Sequence, residues 1–234
     1  MEAIVLAGGV GTRLRSVVSH VPKPMADVGG RPFLEWLLSY WISQGISKFI
    51  LGVGYKYEII QKYFGPAFQG VPIEYAVESE PLGTGGGLIL AAGLLSKKTP
   101  CLVLNGDTYF QVSLEQFNKM HQKHSAEVSI ALFQVSEGGR YGSVQCDASN
   151  RIKSFREKGS RVGKCLINGG VYILNPAALN SKLFQKTKKI SFETEMLPEL
   201  SRQNKTVCGF QFLGKFIDIG IPEDYEKAYN ILHS

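Results

Sequence analysis

A short apolar run, Ala3-Ile4-Val5-Leu6-Ala7, passes straight into Gly8-Gly9-Val10-Gly11. An apolar stretch this short, ended by glycine, reads as a buried strand. Pro32 then opens a helical pattern with Phe33, Leu34, Leu37, Leu38 and Trp41 on one side and Gly45 as its stop. Lys48 to Val53 reads as a second strand, Glu58 to Phe64 as a helix, and Ile73 to Val77 as a third strand. Gly85 to Leu95 reads as a helix in spite of its glycines, and Leu102 to Leu104 as a fourth strand ending in Asn105-Gly106-Asp107. Strand and helix in alternation predict an α/β fold: a mostly parallel sheet flanked by helices on both faces.

Ser113 with Gln116 resembles a capping box at the start of another helix. Beyond it the pattern changes. Val128 to Val135, Ser143 to Cys146, Ile152 to Phe155 and Cys165 to Leu174 read as strands, and helical patterns return at Glu193 to Ser201 and Glu223 to Leu232. There is no internal repeat and no low-complexity linker. The expectation is a single domain over 1–234, with a β-rich second half that covers a ligand cleft.

The net charge of +6 comes from 26 Lys plus Arg against 20 Asp plus Glu, and it suits an anionic ligand. The basic clusters are only pairs, Lys97-Lys98 and Lys188-Lys189, which read as solvated surface. A nucleic-acid stripe is therefore not expected. Cys101, Cys146, Cys165 and Cys208 are far apart and form no CxxC pair, so free thiols in a reducing cytoplasm are expected. The apolar amino terminus is too short for a signal peptide, and no segment reaches the length of a membrane span.

The candidate chemistry begins in the first loop. Gly8-Gly9-Val10-Gly11-Thr12-Arg13-Leu14-Arg15 offers backbone amides that can cradle an anion, with Arg13 and Arg15 as fixed cations. Lys23 lies between Pro22 and Pro24, whose rings restrict the backbone and aim the ammonium at low entropic cost. Neither GxxxxGK[ST] nor GxGxxG is present, since Leu14 stands where the third glycine would be. Asp107, at a strand end, and Asp218, in the apolar run Phe216-Ile217-Asp218-Ile219-Gly220, could supply two carboxylates to a magnesium ion held on phosphates. Glu78 and Glu80 flank Pro81-Leu82-Gly83-Thr84-Gly85. Two readings stand side by side: a carboxylate accepts the N–H groups of guanine, or the loop backbone reads the base while both acids are solvated.

Gly8 to Leu14, with Lys23 ten residues after Arg13 in Pro22-Lys23-Pro24-Met25, resembles the signature of sugar nucleotidyltransferases, also called nucleoside-diphosphate-sugar pyrophosphorylases. The likeness runs through nearly the whole chain, in order. Pro81 to Gly85 is similar to the family's base-binding loop, and Asn105-Gly106-Asp107 to its metal-binding strand end. Phe155-Arg156-Glu157-Lys158 is similar to its sugar-phosphate segment, Asn168-Gly169-Gly170-Val171-Tyr172 to its sugar-binding strand, and Asp218 to Tyr225 to its second metal motif. Ile221 replaces a frequent threonine and Gly159 a frequent proline, changes that bear on loop shape and sugar preference.

The resemblance implies a Rossmann-like nucleotidyltransferase fold without the C-terminal β-helix of longer members. Residues to about 110 would form the nucleotide half and the rest the sugar-phosphate half. It implies transfer of a nucleoside monophosphate, with GTP the expected donor, to a sugar 1-phosphate, with Mg2+ as cofactor. Mannose 1-phosphate with GTP and an amino-sugar 1-phosphate with UTP are alternatives, as is a catalytically silent sugar-nucleotide-binding regulator. Arg13 and Lys23 are the implied catalytic residues. Leu6, Ala7, Gly8, Gly9, Gly11, Thr12, Arg13, Glu80, Pro81, Gly83, Thr84, Asn105 and Asp107 would bind nucleotide, and Gly142, Glu157, Lys158, Asn168 and Gly169 the sugar phosphate. Asp107 and Asp218 would hold the metal. The implied setting is nucleotide-sugar biosynthesis for bacterial capsule or lipopolysaccharide, in the cytoplasm, with small-molecule partners, no nucleic acid or membrane, and possible homo-oligomers.

Overall fold

The computed structural model describes every residue except Val10, Thr12, Arg13, Arg15, Ser16, Ser19, residues 137–141, 157–162, 181–183, 185–188 and 234. Its frame is a ten-stranded sheet. In the first half, β1 (Glu2–Leu6), β2 (Lys48–Val53), β4 (Val71–Val77) and β5 (Cys101–Asn105) are mutually parallel, in the spatial order β4-β2-β1-β5. The two-residue β3 (Ala67–Phe68) closes the far edge against β4. The chain thus builds outward from β1 on one side, then returns to lay β5 on the other. Such a reversal leaves a crevice at the carboxyl ends of the two strands that flank it.

Side chains alternate across this sheet because successive residues of a strand point to opposite faces. Ala3, Val5, Phe49, Leu51, Leu102 and Leu104 join one buried cluster, together with Leu34, Leu37, Leu38 and Trp41 of α1 (Phe33–Ser43). Ile60 and Phe64 of α2 (Tyr57–Phe64) and Leu114 and Phe117 of α4 (Leu114–Lys123) belong to the same cluster. Ile4, Ile50, Cys101 and Val103 join a second cluster, under Leu88 and Ala91 of α3 (Gly83–Ala92) and Leu197 and Leu200 of α5 (Leu197–Arg202). Each Val, Leu, Ile or Phe among them, fully withdrawn from water, contributes roughly 1.5–3 kcal/mol. The mixed, mostly parallel sheet with helices on both faces follows from this two-sided burial.

The second half extends the same sheet. β10 (Cys165–Leu174) runs antiparallel to β5 and to β7 (Val128–Val135), and β11 (Val207–Gln211) lies parallel to β7 at the edge. β8 (Ser143–Cys146) and β9 (Ile152–Arg156) form a hairpin attached to β10. Two short strands that the sequence pattern did not announce, β6 (Thr108–Phe110) and β12 (Phe216–Asp218), pair antiparallel in a separate ribbon. α6 (Pro222–His233) follows, and its Tyr225 hydroxyl donates to the Asp27 carbonyl.

Two boundaries depart from expectation. α3 begins at Gly83, so Gly83 and Thr84 are its first turn and not a free loop. The single helix expected over Glu193 to Ser201 is a π-helical turn (Phe192–Met196) that runs into α5. Pro198 is the cause: it lacks the N–H that an unbroken α-helix would donate to Thr194. The Ser113 cap is present, its hydroxyl accepting from the Gln116 amide at 3.3 Å. All four cysteines are free thiols. Among the described residues, no helix is long and apolar enough to cross a membrane.

One buried polar contact has a measurable signature. His121 of α4 is buried, its Nδ1 2.8 Å from the Ser129 hydroxyl of β7, and burial pushes its pKa down to about 4. The unfolded chain takes up this proton near pH 6.5 and the folded chain only near 4. The stabilisation is therefore complete above 6.5 and declines as pH falls toward 4. Urea unfolding should show a loss of roughly 1 kcal/mol between pH 7 and 5, after discounting for solvent screening. The non-titrating His121→Gln variant should lose less over the same interval.

Candidate active site

A cleft of about 400 Å³ lies at the carboxyl ends of β1 and β5, where the strand order reverses. Leu6, Ala7, Gly8, Gly9 and Gly11 form one wall, Asn105, Gly106 and Asp107 another, and Pro81, Gly83 and Thr84 a third. The register explains the first two: Leu6 is paired with Asn105, and the Gly106 amide donates to the Leu6 carbonyl at 2.9 Å. Asn105 lines the cleft, and its Oδ1 is buried with no hydrogen-bond partner among the described residues.

Lys23 sits at the start of a tight 3-10 turn, Lys23–Met25, entered through Pro22 in extended conformation. Pro24 and Met25 are buried, and the lysine side chain is 9% exposed. Its ammonium donates to Asp107 Oδ2 at 2.5 Å and lies 3.9 Å from Asp218 Oδ1. The β6–β12 ribbon makes this possible. It pairs Thr108 with Asp218, and the Ile219 amide donates to the Asp107 carbonyl at 3.0 Å. Asp218 Oδ1 also accepts the Gly220 amide at 2.7 Å, which fixes the carboxylate's orientation. Two carboxylates thus converge on one cationic atom beside the cleft. Among the described residues no cluster of three or more metal-ligating side chains exists. The donor set is that of a hard divalent cation which completes its shell with phosphate oxygens and water.

The third wall is stitched to the segment before the π-helical turn. The Ile190 amide donates to the Leu82 carbonyl at 3.0 Å, and the Gly85 amide to the Ile190 carbonyl at 2.9 Å. Gly83 has φ +74°, and a Cβ there would come within 2.6 Å of the Ile190 carbonyl oxygen. The amino terminus of α3, with its positive dipole end, lies at the cleft and favours an anion.

The two flanking glutamates separate. Glu78 lines the cleft; its Oε2 accepts the Leu82 amide at 3.0 Å, and burial raises its pKa while that hydrogen bond lowers it. Glu80 is exposed and is not among the lining residues. Lys189, one of the basic pair read as solvated surface, lines the cleft, as do Pro24 and Gly220. Nothing local in the sequence marks Lys189; only the stitching of Ile190 to α3 brings it there.

On the sugar side, Asn168 Oδ1 accepts the Gly170 amide at 3.0 Å where β10 breaks register with β7. Gly169 presses against Phe110 of β6. Ser143 pairs with Ile167, which sets Gly142 next to the Asn168 end of β10. Thr12, Arg13, Glu157 and Lys158 lie outside the described residues.

Comparison with known proteins places the chain in one group. The nucleotidyl transferase family profile matches residues 2–234. A relative from Aneurinibacillus thermoaerophilus, named D-glycero-alpha-D-manno-heptose 1-phosphate guanylyltransferase, is 43% identical over 97% of this chain and 96% of its own. A mannose-1-phosphate guanylyltransferase from Mycobacterium tuberculosis is 35% identical over 97% of this chain but 63% of its own length. Among solved structures, HddC from Yersinia pseudotuberculosis complexed with GMP-PN superposes with a TM-score of 0.85, at 36% identity, covering 98% of both chains.

Gly83→Ala tests the third wall. The left-handed conformation alone costs a side chain about 1–2 kcal/mol, before the carbonyl clash is counted. The variant should melt several degrees lower and bind a triphosphate more weakly, as calorimetry would read.

Proposed function

This chain belongs to the nucleotidyl transferase family, and we propose that it transfers the guanylyl group of GTP to D-glycero-α-D-manno-heptose 1-phosphate, giving GDP-heptose and pyrophosphate. One observation carries the reading: Lys23, Asp107 and Asp218 converge beside a glycine-walled cleft, in a chain 43% identical to a protein named for that reaction. The alternative sugar is mannose 1-phosphate, which the 35% identical relative's name supports less strongly.

In this reading a phosphate oxygen of the sugar phosphate attacks the α-phosphorus of GTP. A new P–O bond forms as the bond from the α-phosphorus to the bridging oxygen breaks, and pyrophosphate leaves with that oxygen. The attacking oxygen is already anionic, so no general base is needed, and alignment and charge stabilisation carry the chemistry. The amides of the Gly8–Gly11 wall and the amino terminus of α3 receive phosphate or base edges. Lys23, nearly enclosed, exchanges part of its contact with Asp107 for oxygens at the reacting centre.

Asp107 and Asp218 would hold a divalent cation, Mg2+ by the chemistry of its oxygen ligands, which when bound lowers the charge on the α-phosphate. Arg13 is assigned to the triphosphate and the departing pyrophosphate. Lys158 and Glu157 are assigned to the sugar phosphate, with Asn168, Gly169 and Gly142. The residues to about 110 supply most of the nucleotide site, joined by Lys189, Asp218 and Gly220, and the sugar-phosphate residues lie beyond 110, within one domain of a cytoplasmic enzyme.

Base choice falls to Glu78 in place of Glu80. The Glu78 carboxylate faces the cleft, and guanine presents N1–H and N2–H groups that an acceptor can pair. Glu78→Gln should lower kcat/KM for GTP about tenfold relative to UTP, while Glu80→Gln stays near wild type.

Release of pyrophosphate from each of the four triphosphates, crossed with a panel of sugar 1-phosphates, tests the whole reading. GTP with the heptose phosphate should lead, and a chelator should stop turnover. Lys23→Ala and Asp107→Ala should each lose at least about a hundredfold in kcat. Wild-type turnover by Lys23→Ala would remove the assigned role.

A further inference from the structure

Between the nucleotide wall and the sugar strand runs a chain of hydrogen bonds that no motif announces. It centres on Glu193, in the π-helical turn. Glu193 Oε2 accepts from the Thr84 hydroxyl at 2.6 Å, and Thr84 lines the cleft in the first turn of α3. Glu193 Oε1 accepts from the Tyr172 hydroxyl at 3.3 Å. That hydroxyl in turn accepts from the Asn168 amide Nδ2 at 2.7 Å, leaving Asn168 Oδ1 on the Gly170 amide. Tyr172 is fully buried, and a buried phenol requires partners of this kind. Burial first, and the Glu193 charge second, hold its pKa well above the ordinary value, so it remains a donor.

The end-capping of Glu193's own turn is done by its neighbours. Ser191 Oγ accepts the Thr194 amide at 3.1 Å, and Glu195 accepts the Ser191 amide at 2.8 Å. The Met196 amide reaches back five residues to the Ser191 carbonyl. The Phe192 amide donates to Thr84 Oγ1 at 2.9 Å, which seats the whole turn on α3. The Glu193 carboxylate is half-buried: Oε2 accepts from Thr84 and, at 3.4 Å, from the Ser191 hydroxyl of its own turn, while Oε1 accepts from Tyr172.

We propose that Glu193 is a positioning residue that couples the two substrate sites, transmitting the seating of the nucleotide at Thr84 to the sugar-binding Asn168 through Tyr172. The proposal rests on the reading of the previous subsection. Because the carboxylate holds both hydroxyls at once, its removal loosens both sites, whereas removal of the Tyr172 hydroxyl loosens the sugar side alone. Glu193→Ala should raise KM for the sugar 1-phosphate about tenfold and KM for GTP several-fold, with a smaller change in kcat. Tyr172→Phe should reproduce only the sugar effect, and Glu193→Gln should recover part of both.

A second readout does not depend on turnover. Hydrogen–deuterium exchange on adding GTP should slow the amides of residues 168–172 in the wild type and leave them unchanged in Glu193→Ala. A merely structural role would lower the melting temperature while leaving both KM values and the GTP-induced protection intact, and that result would overturn the proposal. So would a wild type in which GTP leaves those amides unaffected. A wild type that protects them yet releases no pyrophosphate would instead sink the proposed reaction and leave the coupling standing.

Discussion

A lysine only 9% exposed, flanked by two aspartates, is the contact around which the rest is arranged. Withdrawing an ammonium from water costs several kcal/mol unless opposite charge and hydrogen bonds compensate. Asp107 compensates directly and Asp218 at longer range, and these arrive from segments far apart in the chain. The reversal of strand order puts Asp107 at the crevice, the proline-bounded turn delivers Lys23, and the β6–β12 ribbon delivers Asp218. Without the lysine the two carboxylates repel each other, and without Asp107 the enclosed ammonium keeps only the longer contact with Asp218. α6 contributes at a distance, because Tyr225 bonds to the Asp27 carbonyl just beyond the lysine turn.

How far the sequence disclosed this depends on the range of the interaction. The parallel half was legible because each of its strands is a short apolar run bounded by glycine or polar residues, and burial alternates along each of them between two clusters. The glycine loop and Lys23 were legible because prolines and glycines act on their own neighbourhood. The ribbon was not: Thr108 to Phe110 is too short to show a period, and its partner lies near the other end of the chain. Periodicity likewise could not separate Glu78 from Glu80, since both follow the last residue of β4 and differ only in which one turns back to the Leu82 amide. Lys189 looked like solvated charge and Glu193 only like the start of a helix, and they reach the cleft and its supporting network through contacts with α3 that no local pattern encodes.

The two halves of the molecule are joined by more than adjacency. β10 belongs to the second half yet pairs with β5, the strand that ends in Asn105. Tyr172, on the face of β10 that enters the α3 cluster, carries its hydroxyl to Glu193. One strand is therefore part of the core, neighbour to the strand that ends at the crevice and part of the polar link to it, so its rigidity serves packing and recognition together.

That strand also limits how such a protein can diversify. Side chains at Gly169 and Gly170 would meet the Phe110 ring, the Ala131 carbonyl, Asn105 and Thr108, and Gly170 holds φ +69° besides. The inner floor is thus closed to substitution, and a chain of this architecture that acquires a new sugar must do so by altering the surrounding loops. Freedom to accept a different substrate is therefore left to the rim.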